Sequence, residues 1–170
     1  MEITIFKDIK VTSQPFYRGA VVILNRIKEG SSKDLVKRIR EEKDKDKINN
    51  LKQKLPAICF SGKFTKRNDK SLSQHSGLIC LDFDGYDSQR DLLQEKERLS
   101  KNKYVYSVFI SPSGKGLKAI VKIPPIPENH VSYFNSLEKH FNSPQFDKTC
   151  KNVSRVCYES YDPLIHINEN

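Results

Sequence analysis

A chain of 170 residues has room for one domain with a core, and not for two full-sized domains. With 36% hydrophobic and 30% charged residues, it contains no apolar run near the roughly 20 residues that span a bilayer. It also has no leader-like start, so the expected compartment is the cytoplasm, with no membrane partner. The formal charge of +9 points to a polyanionic partner, leaving nucleic acid, acidic lipid and nucleotide phosphate open.

Ile3 to Ile9 alternates apolar side chains at 3, 5 and 9 and predicts a strand. Ala20 to Ile27 reads as a short helix, with Ala20, Ile23 or Leu24, and Ile27 on one face. Gly30-Ser31-Ser32 breaks the chain and offers an N-cap for a helix from Lys33 to about Arg40. Lys33 to Lys54 carries nine basic and five acidic residues, and its apolar positions keep helical spacing. It reads as two solvated amphipathic helices around a mobile hinge at Asp44 to Lys47, or alternatively as a DNA-binding arm. Pro56 ends this region; Ala57 to Phe60 is a short strand, and Ser61 to Ser73 a polar loop bearing Lys63, Lys66, Arg67 and Lys70.

From Leu78 the order is clearer. Leu78 to Phe83 is a strand, and Ser88 to Ser100 a helix with Leu92, Leu93 and Leu99 inward. Tyr104 to Ile110 and Leu117 to Ile123 form a hairpin around the Ser111 to Gly116 turn, ended by the prolines at 124, 125 and 127. Glu128 to Phe141 is a helix with Val131, Phe134, Leu137 or Glu138, and Phe141 at helical spacing, and Val156 to Tyr158 is a last strand. This order indicates an α+β domain with a mostly antiparallel sheet. Residues 1–55 are expected as a strand and basic helical segment packed on a core of residues 56–170, in one compact domain. The cysteines at 59, 80, 150 and 157 form no CxxC pair, so reduced, buried thiols and no zinc module are expected.

Three stretches carry chemistry. In Leu78-Ile79-Cys80-Leu81-Asp82-Phe83-Asp84-Gly85, alternation puts Asp82 and Asp84 on one face about 7 Å apart. Their repulsion is relieved by a cation, and hard oxygen ligands suit Mg²⁺ or Mn²⁺; the plain alternative is a polar strand end opening a turn. In Ser111-Pro112-Ser113-Gly114-Lys115-Gly116-Leu117-Lys118, two glycines flanking a lysine free backbone N–H groups for phosphate, though an ordinary hairpin turn reads the same way. Asp147, in Phe146-Asp147-Lys148-Thr149-Cys150, precedes Arg155 by eight residues, and each alone reads as a surface residue or half an ion pair.

Together, in this order on these elements, the three stretches resemble the archaeo-eukaryotic primase superfamily, and most nearly its VirE-type N-terminal branch of primase-polymerases from phages and mobile elements. The likeness is strongest from Pro56 to Asn168 and includes Gln74-His75-Ser76-Gly77, Val153-Ser154-Arg155 and Ser160-Tyr161-Asp162-Pro163. It implies an RRM-like, mostly antiparallel sheet with flanking helices. It further implies a catalytic site of Asp82, Asp84 and Asp147 holding two Mg²⁺ or Mn²⁺ ions for nucleotidyl transfer in DNA replication. Ser111, Ser113, Lys115 and Lys118 would contact the nucleoside triphosphate, with Arg155 beside it. A single-stranded DNA template is the implied second substrate, with Lys63, Lys66 and Arg67 expected along its path, and a replicative helicase is a candidate partner. Many relatives carry His where this chain has Lys118, and lysine binds phosphate as a point charge but cannot act as a pH-tuned donor. Two rival readings stand beside this one. A primase-like module could bind nucleotide or nucleic acid without synthesis. Alternatively, Asp82-Phe83-Asp84 resembles the nucleophile motif of haloacid-dehalogenase-type phosphatases, although Tyr86 replaces their preferred Thr.

Overall fold

The computed structural model describes residues 1–168. The first half of the chain forms β1 (Glu2–Phe6), β2 (Phe16–Gly19), α1 (Ala20–Glu29), α2 (Lys33–Glu41), α3 (Lys45–Lys52), β3 (Ala57–Cys59), β4 (Gly62–Phe64) and β5 (Leu72–His75). The second half forms β6 (Leu78–Asp84), α4 (Gln89–Ser100), β7 (Val105–Ile110), β8 (Gly116–Lys122), α5 (His130–Phe141), β9 (Cys157–Tyr158) and β10 (His166–Ile167).

Leu78, Ile79, Cys80, Leu81 and Phe83 leave β6 no polar face until its end, and the strand is buried up to Phe83. It pairs along its whole length with β8, in a sheet of order β10-β7-β8-β6 whose neighbours are all antiparallel. On its other side, Phe146 bridges Phe83, Asp84 N donates to Gln145 O at 2.8 Å, and Asp147 N donates to Asp82 O at 2.9 Å. Counting that stretch as a reduced strand, β6–α4–β7–β8–α5–Phe146 is a βαββαβ unit with spatial order 4-1-3-2, the ferredoxin-like arrangement. The chain is therefore α+β with antiparallel sheets, as its sequence indicates.

Alternation along β6 divides the interior. Ile79, Leu81 and Phe83 pack against Leu92 and Leu99 of α4 and Phe134 and Phe141 of α5. Leu78 and Cys80 face the opposite way, toward α1 and a second antiparallel sheet of order β2-β1-β3-β9. All four expected apolar positions of α1 (Ala20, Ile23, Leu24 and Ile27) are buried there. Because β1 pairs with β2 on one side and with β3 on the other, and β3 pairs with β9, residues 1–55 and 56–168 share a sheet, and the first segment is built into the core.

Several local expectations give way. The polar loop of residues 61–73 contains β4 and leads into β5 as a bulged hairpin. The hinge at residues 44–47 is the start of α3, because the Asp44 carboxylate accepts from the N–H groups of Asp46 and Lys47 and caps that helix. Ser32 does not cap α2; its hydroxyl donates to Glu159 at 2.5 Å instead. Leu93 and Val131 point outward, 51% and 44% exposed, and buried Lys96 takes the inward place on α4 because Asp162 receives its ammonium. All four cysteines are free and buried. No helix among the described residues is long and apolar enough to cross a membrane.

The β5–β6 corner is held by a buried histidine pair. Gly77 N–H donates to His75 Nδ1 at 3.0 Å, so His75 Nε2 carries its proton and faces His130 Nδ1 at 3.0 Å. Burial lowers both pKa values, His130 to about 4, with the neighbouring His75 adding to the effect there. Both rings therefore fold neutral, whereas the unfolded chain binds protons below about pH 6.5. Stability should be full above pH 6.5 and fall as pH drops toward 4, by about 3 kcal/mol from His130 alone. Urea midpoints taken across that range on wild type and His130→Gln check this, the variant giving the flatter profile.

Candidate metal and phosphate site

Where the inter-sheet core ends, the face of β6 that carries Leu78 and Cys80 presents Asp82 and then Asp84. Asp82 stands directly opposite Lys118 in the β6–β8 register, and Lys118 Nζ lies 2.5 Å from Asp82 Oδ2. On its other flank Asp82 meets Asp147, carried there by the backbone bond from Asp147 N to Asp82 O. The three side chains thus form a row across adjacent strands: acid, acid, ammonium. Burial works against the Lys118 charge, but the Asp82 carboxylate raises its pKa overall, so the lysine is held as a cation.

Cys150, one turn past Asp147, completes this cluster. Its Sγ lies 3.0 Å from Asp147 Oδ2 and 3.4 Å from Asp82 Oδ2. Burial first, and then the Asp82 and Asp147 carboxylates, push the thiol up to about 12, so it stays protonated and donates to the acid pair. Arg155 lies behind it, with Nη2 2.9 Å from Cys150 Sγ. Burial pushes the Asp147 pKa up, but hydrogen bonds from Cys150 and Thr149, together with the Arg155 charge, bring it below the usual carboxylate range. Donor atoms of Asp82, Asp147 and Cys150 all lie within 4.8 Å of one another, close enough to share one cation. Two hard carboxylate oxygens suit Mg²⁺ or Mn²⁺, while a thiol gives such ions little and would have to lose its proton to bind a softer one.

Asp84, the third expected acid, is outside that cluster. It is exposed at the strand end, opposite Gly116, where an added Cβ would collide with the Asp84 carboxylate and the Phe83 carbonyl oxygen. Partial burial raises its pKa, Lys118 opposes that, and Asp82 and Asp147 add to it, so it shares the field of the acid pair without joining their contacts.

The Ser111–Gly116 turn sits against this end of β6. Ser111 N donates to Gly116 O at 2.8 Å, Gly116 N to Ser111 Oγ at 3.2 Å and Gly114 N to Ser111 O at 2.9 Å. Ser113 Oγ lies 3.1 Å from Ser111 Oγ, and Gly114 adopts a left-handed φ of +74° that a side chain would strain. Lys115 projects from the turn, exposed. The turn is clamped from outside: Arg40 Nη2 donates to the carbonyls of Ser111 and Tyr161, and Gln89 Nε2 to that of Gly114.

Residues 159–162 anchor that clamp. Fully buried Glu159 accepts two bonds from Arg26, at 2.7 and 3.1 Å. Ser160 Oγ donates to Ile110 O at 2.7 Å, and Asp162 Oδ2 accepts from Ile110 N at 2.9 Å and from Lys96 Nζ at 2.6 Å. The last residue before the turn is thereby fixed at both its N–H and its carbonyl.

The basic loop residues part ways. Lys63 pairs with Glu2 at 3.0 Å and lies over the Tyr17 ring. Arg67 is tied down, its Nη2 donating to Ile9 O at 2.6 Å and its N–H to Thr12 O at 2.9 Å. Lys66 is exposed, and its ammonium has no partner among the described residues. Nearby Asp69 gathers the N–H and hydroxyl of Ser154 at 2.9 and 2.6 Å, so this hairpin positions the segment leading to Arg155. Sequence reading missed Cys150, Arg40 and Gln89 as parts of the site; only the three-residue spacing of Asp147 and Cys150 hinted at any of them.

The sequence model of the family described as BT4734-like, N-terminal domain, matches residues 50–166, a span holding the acid row, the turn and the clamping segment. No curated protein and no solved structure matches the chain.

The row makes Lys118 and a divalent ion competitors for Asp82. Lys118→Ala should therefore tighten Mn²⁺ binding by about tenfold, or about 1.4 kcal/mol, by removing a neighbouring positive charge. Asp82→Asn should weaken it by at least about tenfold. Titration of Mn²⁺ followed by electron paramagnetic resonance checks both.

Proposed function

The chain belongs to the BT4734-like N-terminal domain family, and from that premise we propose that it is a metal-dependent nucleotidyl-transfer domain of the primase-polymerase type. It would act on nucleoside triphosphates and a DNA template in replication of a phage or mobile element. One observation carries the reading: an acid pair and a serine- and glycine-containing turn lie side by side, in register, on adjoining strands of a ferredoxin-like sheet.

Asp82 and Asp147 would hold the divalent ion, with Asp84 at the mouth to receive a second or to orient the incoming group. Bound there, such an ion supplies charge neutralisation for a triphosphate and lowers the pKa of an attacking hydroxyl. The residues' own part is positioning. Ser113 would receive phosphate oxygens and Lys115 would add charge, whereas the N–H groups of Gly114 and Gly116 are spent on Ser111 inside the turn. Lys118 passes from Asp82 to the triphosphate when an ion takes its place. Arg155, behind Cys150, sustains positive potential on the far side of the acids.

The ion pair between Lys118 and Asp82 also favours a second reading, a module that binds nucleotide without synthesis, because an ammonium occupies the acid that must take the metal. Incubation with labelled nucleotides, single-stranded template and Mn²⁺ separates the two. Template-dependent incorporation is expected from wild type, reduced at least about a hundredfold in Asp82→Asn and Asp147→Asn while both stay folded.

The template path should run past Lys66 rather than Arg67. Lys66→Ala should lower the salt slope of single-stranded DNA binding by about one contact. Arg67→Ala should leave the slope unchanged and cost about 1–3 kcal/mol of stability, through the contacts it makes to the chain before β2. Filter binding across a salt series and urea denaturation read the two effects.

A further inference from the structure

The charged stretch from α2 to α3 forms one wall of a cleft of about 570 Å³, and the Ser111–Gly116 turn forms the other. Arg40, Lys43, Lys45 and Lys52 line the helical wall, and Ser113 and Lys115 face them. Five basic side chains against two acidic ones, Glu41 and Glu42, leave the cleft positive. Arg40 is occupied in holding the turn, but the ammonium groups of Lys43, Lys45, Lys52 and Lys115 make no ion pair among the described residues. Four cations around one hollow give it a positive potential that favours an anion.

We propose that this cleft binds the triphosphate of the incoming nucleotide, with Lys52, at the C-terminal end of α3, as its principal anchor. The proposal rests on the nucleotidyl-transfer reading and adds to it a wall of the chain that lies almost entirely before the family-matched residues 50–166. Three observations support it. Lys52 lines the cleft half-buried and feels the charges of Lys115 in the turn and of Lys118 and Asp84 beside the acid pair, which couples the cleft to that row. Burial lowers its pKa, and Lys118 and Lys115 lower it further against the opposing pull of Asp84, so its countercharge is incomplete. Glu41 and Glu42 line the same cleft, which suits a short polyanion better than a continuing nucleic-acid backbone.

Titration calorimetry of the whole chain with sodium tripolyphosphate, without metal, tests this apart from synthesis. Wild type should bind, and Lys52→Gln should weaken binding about ten- to a hundredfold, as expected for a lost charge-assisted contact. Lys52→Arg should largely restore it, and Lys139→Gln, exposed on α5, should leave it unchanged. Absence of wild-type binding, or equal affinity in folded Lys52→Gln, would overturn the proposal. So would a Lys52→Gln defect confined to a single-stranded oligonucleotide, which assigns the cleft to the strand. Failure of synthesis with Lys52-dependent tripolyphosphate binding intact removes the polymerase reading and keeps the cleft. Synthesis with an unchanged nucleotide requirement in Lys52→Gln does the reverse.

Discussion

Strand β6 is covered on both faces, by α4 and α5 on one side and by the second sheet with α1 on the other. A strand so enclosed can be apolar throughout, and any charge it carries must appear where the cover stops. Leu78 and Cys80 lie under the second sheet, and two residues further along the same face Asp82 reaches its margin, still only 9% exposed. One register shift in the β6–β8 ladder would turn Asp82 toward the helices and Phe83 toward the opening, with a cost at every position of the strand. The location of the acids is therefore fixed by the hydrophobic effect acting on their neighbours.

Nearly buried carboxylates side by side need positive charge or protons close at hand. This protein uses several sources. Lys118 sits on Asp82, the Cys150 thiol proton lies against both acids, and Arg155 backs the thiol. Each offsets part of the repulsion between the two acids and so lets their carboxylates lie close together. The thiol suits this task because its proton is held so firmly: a group driven toward 12 by burial and by two anions is a donor and not a nucleophile.

Most of the second half of the fold was legible in the sequence, because periods of two and 3.6 survive wherever one element has one covered face. Alternation located β6, β7 and β8, and the face shared by Asp82 and Asp84, correctly. It failed where a polar side chain had found a distant partner. Lys96 faces inward only because Asp162, 66 residues away, receives it, and nothing in α4 alone signals that. Ser32 looked like a cap and instead serves Glu159, 127 residues away. The loop at 61–73 looked polar, yet Phe64 and His75 are buried within the hairpin it forms. In the site itself, Asp147 was legible as a third acid by resemblance only, since its approach to Asp82 depends on a single bridge at Phe146. Asp84 shares the face of Asp82 as alternation predicts, but alternation specifies a face and not a rotamer, and its carboxylate lies over Gly116 outside the Asp82–Asp147–Cys150 cluster.

The contrast between the turn and the lysines around it bears on function. Ser111 is held at its carbonyl by Arg40, and Ile110 before it is gripped on both backbone groups by residues 160–162, themselves pinned through Lys96. Breaking one partner of such a buried pair typically costs about 3–5 kcal/mol, so this framework does not shift cheaply. On the surface of the same cleft, Lys43, Lys45 and Lys115 make no ion pair among the described residues. A rigid turn beside cations that make no ion pair among the described residues suits a polyanion, because the first does not reorganise when a ligand arrives and the second gain a partner only then.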